Sequence, residues 1–111
     1  MLPRDQASLQ DMLEQIRFIR EHLIGITEET FLSDSLRQAA VMLRIAIIGE
    51  AANRLSEVFR DTHPEVDWRA IRRMRNFLIH VYDRVDYDQV WDTVQQDLTP
   101  LLTAVERILQ E

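Results

Sequence analysis

The stretch SDSLRQAAVMLRIAIIGEAANRLSEVFR, residues 33–60, decides the fold. Ser33 and Asp34 are both suitable helix N-caps, because their side-chain oxygens can accept an orphan amide of the first turn. The residues after them recur at helical spacing and predict one helix to about Arg60. At about 100° per residue, Leu36, Ala40, Leu43 and Ile47 share one face. Val41, Ile45, Ile48, Ala52, Leu55 and Phe59 share another, more than a quarter turn away. A helix that is apolar nearly all round is covered on more than one side. The second cover is either other helices of the same chain or a partner subunit. Gly49 gives room for another element to approach closely, and Glu50, between apolar neighbours, is expected to be a buried carboxylate paired with an arginine or another donor.

Outward from this helix the periodicity stays helical. Upstream, Leu9, Met12, Leu13, Ile16, Ile19 and Leu23 define a helix over about Asp5–Ile24, ended by Gly25 and the polar run Thr27–Thr30. Downstream, Pro64 breaks the chain and Asp67 caps a helix predicted from Trp68 to about Tyr82. Asp86 and Asp88 open a further helix carrying Val90, Trp91, Val94 and Leu98. Thr99-Pro100 reads as an N-cap and first helical position, so this helix kinks or restarts before Leu101–Leu109. Four main helices with short connections predict an all-α, antiparallel up-down bundle, one domain over residues 1–111. Trp68 and Trp91 are expected as core anchors, and His22 and His63 as surface residues.

Composition narrows the function. There is no cysteine, which excludes disulfides, thiolate nucleophiles and cysteine metal sites and fits a reducing cytoplasm. Neither Glu-x-x-His nor His-x3-His occurs, so a bundle metal site lacks ligands at usable spacing; no metal and no cofactor is expected. No glycine-rich phosphate loop is present. The first ten residues hold no apolar signal segment, and the apolar stretch Ala39–Ala52 is too short to span a bilayer and contains Arg44. The net charge of −6 argues against a protein that coats nucleic acid but does not bear on one local site. All 13 basic residues are arginine, and Arg69, Arg72, Arg73 and Arg75 cluster, with Arg84 soon after.

The segment RNFLIHVY, residues 75–82, carries the chemistry. Met74, Phe77, Leu78 and Val81 form its core-facing stripe. Arg75 and Tyr82, seven apart, share one edge of that stripe; Asn76, His80 and Asp83 share the other. Ile79 lies opposite the core near Arg72, as if another surface packed there. Arg75 and His80 point about 140° apart on such a helix, so pairing across a two-fold axis brings them together more readily than one helix does.

These residues resemble the Arg-x4-His-x-Tyr signature of the HepT-like HEPN proteins, with asparagine directly after the arginine. IIGEAANRLSEVF (47–59), the Pro64–Trp68 approach and VWDTVQQDLTPLL (90–102) also resemble that family, so the likeness spans about residues 36–109. The resemblance implies a HEPN-like bundle and a homodimer in the cytoplasm. It implies a toxin of a type VII-like toxin–antitoxin pair, acting as a metal-independent endoribonuclease on RNA. The implied partner is a minimal nucleotidyltransferase antitoxin that transfers AMP to the signature tyrosine. Carried over residue by residue, Arg75 and His80 are catalytic, Asn76 supports them, and Tyr82 is the residue modified by AMPylation; Arg72 and Glu50, outside the signature, are expected as further supporting residues.

Such chemistry suits these residue types. RNA is cut without metal when its 2′-hydroxyl attacks the adjacent phosphorus, which needs a base, an acid and positive charge. Histidine titrates near pH ~6.5 and serves as acid or base. Arginine holds a phosphate bidentately and stabilises developing charge. The plainer readings are a solvated arginine face, a surface histidine and a tyrosine packed at a helix end. A second function class also stands: a non-catalytic module in which the same site binds a nucleotide or RNA without cutting it.

Overall fold

A computed structural model describes residues 1–76 and 85–111, and among these the secondary structure is entirely helical. In chain order the helices are α1 (Pro3–Leu23), α2 (Glu28–Leu32), α3 (Ser35–Asn53), α4 (Glu57–Thr62), α5 (Trp68–Arg73), α6 (Tyr87–Gln96) and α7 (Leu98–Leu109). The all-helical bundle expected from the apolar spacing is what forms.

The core is built by α1 packed against both α3 and α7. Leu9, Met12, Ile16 and Ile19 of α1 are fully enclosed, as are Ile45 and Ile48 of α3 and Val105 and Ile108 of α7. Each such side chain contributes roughly 1.5–3 kcal/mol by leaving water. Trp68 is buried, and Trp91 packs against the core with its ring 5.4 Å from that of Phe31. Gly25 takes a φ of +74° after α1, a turn that a side chain would resist.

Two short helices depart from the expected pattern. Thr27–Thr30 does more than stop α1: the Thr27 side chain accepts the Thr30 amide at 3.1 Å and caps α2, which delivers Phe31 to the core. The expected helix to Arg60 is also broken. It ends at Asn53, and Ser56 caps α4 by accepting the Phe59 amide at 3.1 Å. The cause lies far away in sequence. Buried Asp5 accepts both the Ser56 amide and the Ser56 hydroxyl at 2.7 Å. A continuous helix would have spent that amide on the Ala52 carbonyl; two charge-assisted bonds to a buried carboxylate outcompete it.

The junction of α6 and α7 also shifts. Thr99 is not the cap: α7 begins at Leu98 after Asp97, with Pro100 inside the first turn. Proline has no amide to offer the Gln96 carbonyl and its ring crowds that group, so the break falls at residues 96–97.

One face of α3 has no cover among the described residues. Leu36 is 84% exposed and Leu43 46%, with Ala40 and Ile47 only part-buried between them. This is the first of the two apolar faces seen in the sequence, and the second, led by Ile45 and Ile48, is the one that enters the core.

Candidate active site

The site grows from the end of α5. The Asp67 side chain accepts the Ala70 amide at 3.1 Å and starts the helix, and buried Trp68 and Ile71 fix its inner face. The expected helix from Trp68 to Tyr82 does not run unbroken. Regular turns stop at Arg73, and the chain tightens: the Met74 amide bonds to the Ile71 carbonyl at 3.0 Å and the Arg75 amide to the Arg72 carbonyl at 3.3 Å. Such three-residue bonds draw in the last turn of a helix. Met74 is buried as the apolar stripe requires, and Asn76 is helical again and exposed. Phe77, Leu78, Ile79, His80, Val81, Tyr82, Asp83 and Arg84 lie outside the described residues.

On this turn the Arg75 guanidinium faces α3. Its Nη1 is 3.9 Å from Oε1 of Glu50, and both side chains are partly open to solvent, at 41% and 47% exposure. Glu50 is therefore not the buried carboxylate its neighbours suggested. Gly49, Ala51 and Ala52 are buried, but Glu50 turns away from them toward the rim, where it meets an arginine. Arg72, one turn before Arg75, is half-buried, and its Nε makes no hydrogen bond to any described residue. Arg69 and Arg73 are exposed on the same helix. The structure thus brings Arg72, Arg75, Asn76 and Glu50 to the C-terminal ends of α5 and α3.

Electrostatics around this end favour an anion at Arg75 over the neighbouring cleft. A cleft of about 570 Å³ opens between α5, α6 and α7, with Ile71, Met74 and Leu101 on its apolar wall. Glu65, Asp67 and Asp97 also line it, whereas Arg75 and Glu50 do not. Glu65 is paired with Arg107 at 3.4 Å, but Asp67 and Asp97 still outnumber Arg73 there, whereas Arg72 and Arg75 outnumber Glu50, so a phosphate is better placed on Arg75 and Arg72.

His63 departs from the surface position expected of it. Its ring stacks on Phe59 at 4.3 Å, Nδ1 lies 3.1 Å from the Phe59 carbonyl oxygen, and Nε2 is 3.1 Å from Oε1 of Glu111. Burial opposes its protonation, but the Glu111 hydrogen bond, the Phe59 carbonyl and the charges of Glu111 and Glu65 outweigh that and raise its pKa. It belongs to the α4–α7 corner and has no part in the Arg75 site. His22 is exposed, as expected, with its ring stacked on Phe18.

Comparisons with known proteins support the family resemblance carried by the sequence. The family model described as ribonuclease HepT-like matches residues 12–108, and the chain belongs to the HepT-like family. It is 40% identical over 100 residues to a Thermococcus cleftensis protein named "Probable ribonuclease HepT", covering 90% of this chain and 91% of that one. A Caldanaerobacter subterraneus subsp. tengcongensis protein bearing an RNase name is 36% identical, covering 93% of this chain and 92% of the relative. A Methanocaldococcus jannaschii protein, also bearing an RNase name, is 33% identical, covering 96% and 88%. No solved structure matches the chain. No helix among the described residues is long and apolar enough to cross a membrane.

Proposed function

We propose that this chain is a metal-independent endoribonuclease that works as a homodimer, the toxin of a toxin–antitoxin pair. The observation that carries the reading is the placement of Arg75. A HepT-like chain of net charge −6 places four of its 13 arginines, Arg69, Arg72, Arg73 and Arg75, along and just after α5 and presents Arg75 partly open, with Arg72 beside it. A guanidinium in that position grips a phosphate through paired N–H bonds and stabilises the charge that grows on phosphorus in the transition state.

In the reaction, His80 removes the proton from a ribose 2′-hydroxyl, whose oxygen bonds to the adjacent phosphorus. The bond from phosphorus to the 5′-oxygen breaks, and that oxygen takes a proton from a second acid, for which the partner's copy of the same histidine serves. The products are a 2′,3′-cyclic phosphate and a 5′-hydroxyl. Asn76 and Glu50 hold the arginine and histidine edges in place. The uncovered face of α3 supports the dimer, because an apolar stripe of this kind is stable in water when a second copy covers it.

Control falls to Tyr82. A nucleotidyltransferase partner joins the tyrosine oxygen to the α-phosphorus of ATP and releases pyrophosphate. The added AMP brings negative charge to the arginine edge and blocks it. The test is end-group analysis of RNA cut in EDTA. A 2′,3′-cyclic phosphate supports the scheme, and RNA that is bound but left intact favours a binding module instead.

A further inference from the structure

Gly49 is buried in α3 directly beneath the Met74–Arg75 turn. A Cβ placed on it would come within 2.9 Å of the Met74 carbonyl carbon and 3.0 Å of the Arg75 Cα, and nearer still to the Arg75 nitrogen. All three are backbone atoms, so no side chain can swing aside to make room. The next residue, Glu50, supplies the carboxylate 3.9 Å from the Arg75 guanidinium. Two consecutive residues of α3 therefore set both the height of the Arg75 backbone and the direction of its side chain. The tightened bonds at Met74 and Arg75 draw in that same turn, and buried Met74 pins it from within.

From this we infer that Gly49 is a positioning residue for Arg75: its missing side chain is what lets the arginine-bearing turn seat against α3. The inference rests on the ribonuclease reading for its functional consequence and goes beyond it in assigning a role to a residue with no reactive group. Geometry at a reacting phosphate is exacting, and misplacement by about 1 Å can cost about 10²-fold in rate. Alanine at 49 would crowd the Arg75 backbone and is expected to displace it by a comparable amount.

The sign of the stability change already separates this from a passive glycine. In an uncrowded helix interior, glycine to alanine raises the melting temperature. Here Gly49→Ala is expected to lower it. The decisive test is a double-mutant cycle with Gly49→Ala and Arg75→Ala, read by affinity for a 2′-O-methyl RNA oligonucleotide, which has no free hydroxyl to attack. Gly49→Ala is expected to weaken binding about tenfold in the wild-type background, the scale of one charge-assisted contact. In the Arg75→Ala background it is expected to change little, because the group it positions is gone. In cleavage, Gly49→Ala is expected to lower kcat more than it raises KM.

Equal losses in both backgrounds would overturn the inference, since a general loosening of the fold does not depend on Arg75. A higher melting temperature with unchanged binding would overturn it too. If Gly49→Ala is too unstable to purify, Met74→Ala frees the same turn without a clash and enters the same cycle. Wild-type protein that cuts RNA while the cycle is additive removes the role of Gly49 alone. Wild-type protein that neither binds nor cuts removes the ribonuclease reading and this inference together.

Discussion

The Arg75 guanidinium meets the Glu50 carboxylate at 3.9 Å, across the contact between α5 and α3, with both groups partly in solvent. A half-exposed pair of this kind contributes only about 0–1 kcal/mol to folding. Its importance is directional. Glu50→Gln is expected to leave the denaturation midpoint almost unchanged. It removes both the charge that orients Arg75 and an anion that competes with substrate phosphate, so kcat is expected to fall several-fold while KM does not rise. Steady-state cleavage kinetics check this, and a raised KM at constant kcat would count against an orienting role.

Asp5 and Ser56 form the strongest long-range polar tie described, two bonds of 2.7 Å to a carboxylate that is 2% exposed. Asp5→Ala leaves the Ser56 amide and hydroxyl without their acceptor inside the protein. A loss of about 3 kcal/mol is expected, within the range for hydrogen bonds to charged groups. Urea denaturation measures it. Ser56→Ala is expected to cost less, since the amide still reaches Asp5.

The His63–Glu111 contact gives a pH signature. The folded pKa of His63 is raised above its usual value, so the contact stabilises the fold fully below about pH 6.5 and loses that contribution as pH rises through the folded pKa. Glu111→Gln is expected to reduce stability in mildly acidic buffer and to matter progressively less toward alkaline pH. Melting temperatures of both proteins across that range decide the point. A gap that widens with pH would reverse the assignment.

The apolar stripe of α3 tests the proposed assembly. Leu36 and Leu43 are exposed in the single chain, so Leu36→Glu with Leu43→Glu removes little from its core. Sedimentation of the wild type is expected to report a dimer and that of the double variant a monomer that is still helical. An unchanged dimer would place the interface elsewhere.

The sequence revealed the long helices because α1, α3, α6 and α7 each carry enough turns for an apolar stripe to repeat. It did not reveal α2, which has a single turn, or the break before α4, which depends on Asp5 meeting Ser56 from the other end of the fold. Leu55 and Phe59 keep the helical spacing across that break, so periodicity alone hides it. Glu50 shows the same limit at the site. Buried neighbours suggested a buried carboxylate, yet one step of a helix rotates a side chain by about 100°, enough to carry it from core to rim. Gly49 was legible as a place of close approach, but nothing in one sequence named the turn of Met74 and Arg75 as the element approaching it.

In the proposed scheme Tyr82 links the chemistry to its control. Tyr82→Phe is expected to keep its ribonuclease activity and to escape silencing when made together with a cognate nucleotidyltransferase. Intact mass is expected to show an added AMP on the wild type and none on the variant. Silencing of Tyr82→Phe that still requires an active transferase would place the modification on another residue.

The most direct test is cleavage of end-labelled RNA in EDTA by unmodified protein, run beside His80→Ala and Arg75→Ala. Cutting by the wild type is expected, with the loss of Arg75 costing about 10²–10³-fold, as for other groups that stabilise developing charge. His80→Ala is expected to abolish cutting. Cleavage that survives in His80→Ala, or that the wild type shows only when a divalent metal is supplied, would contradict the metal-independent mechanism.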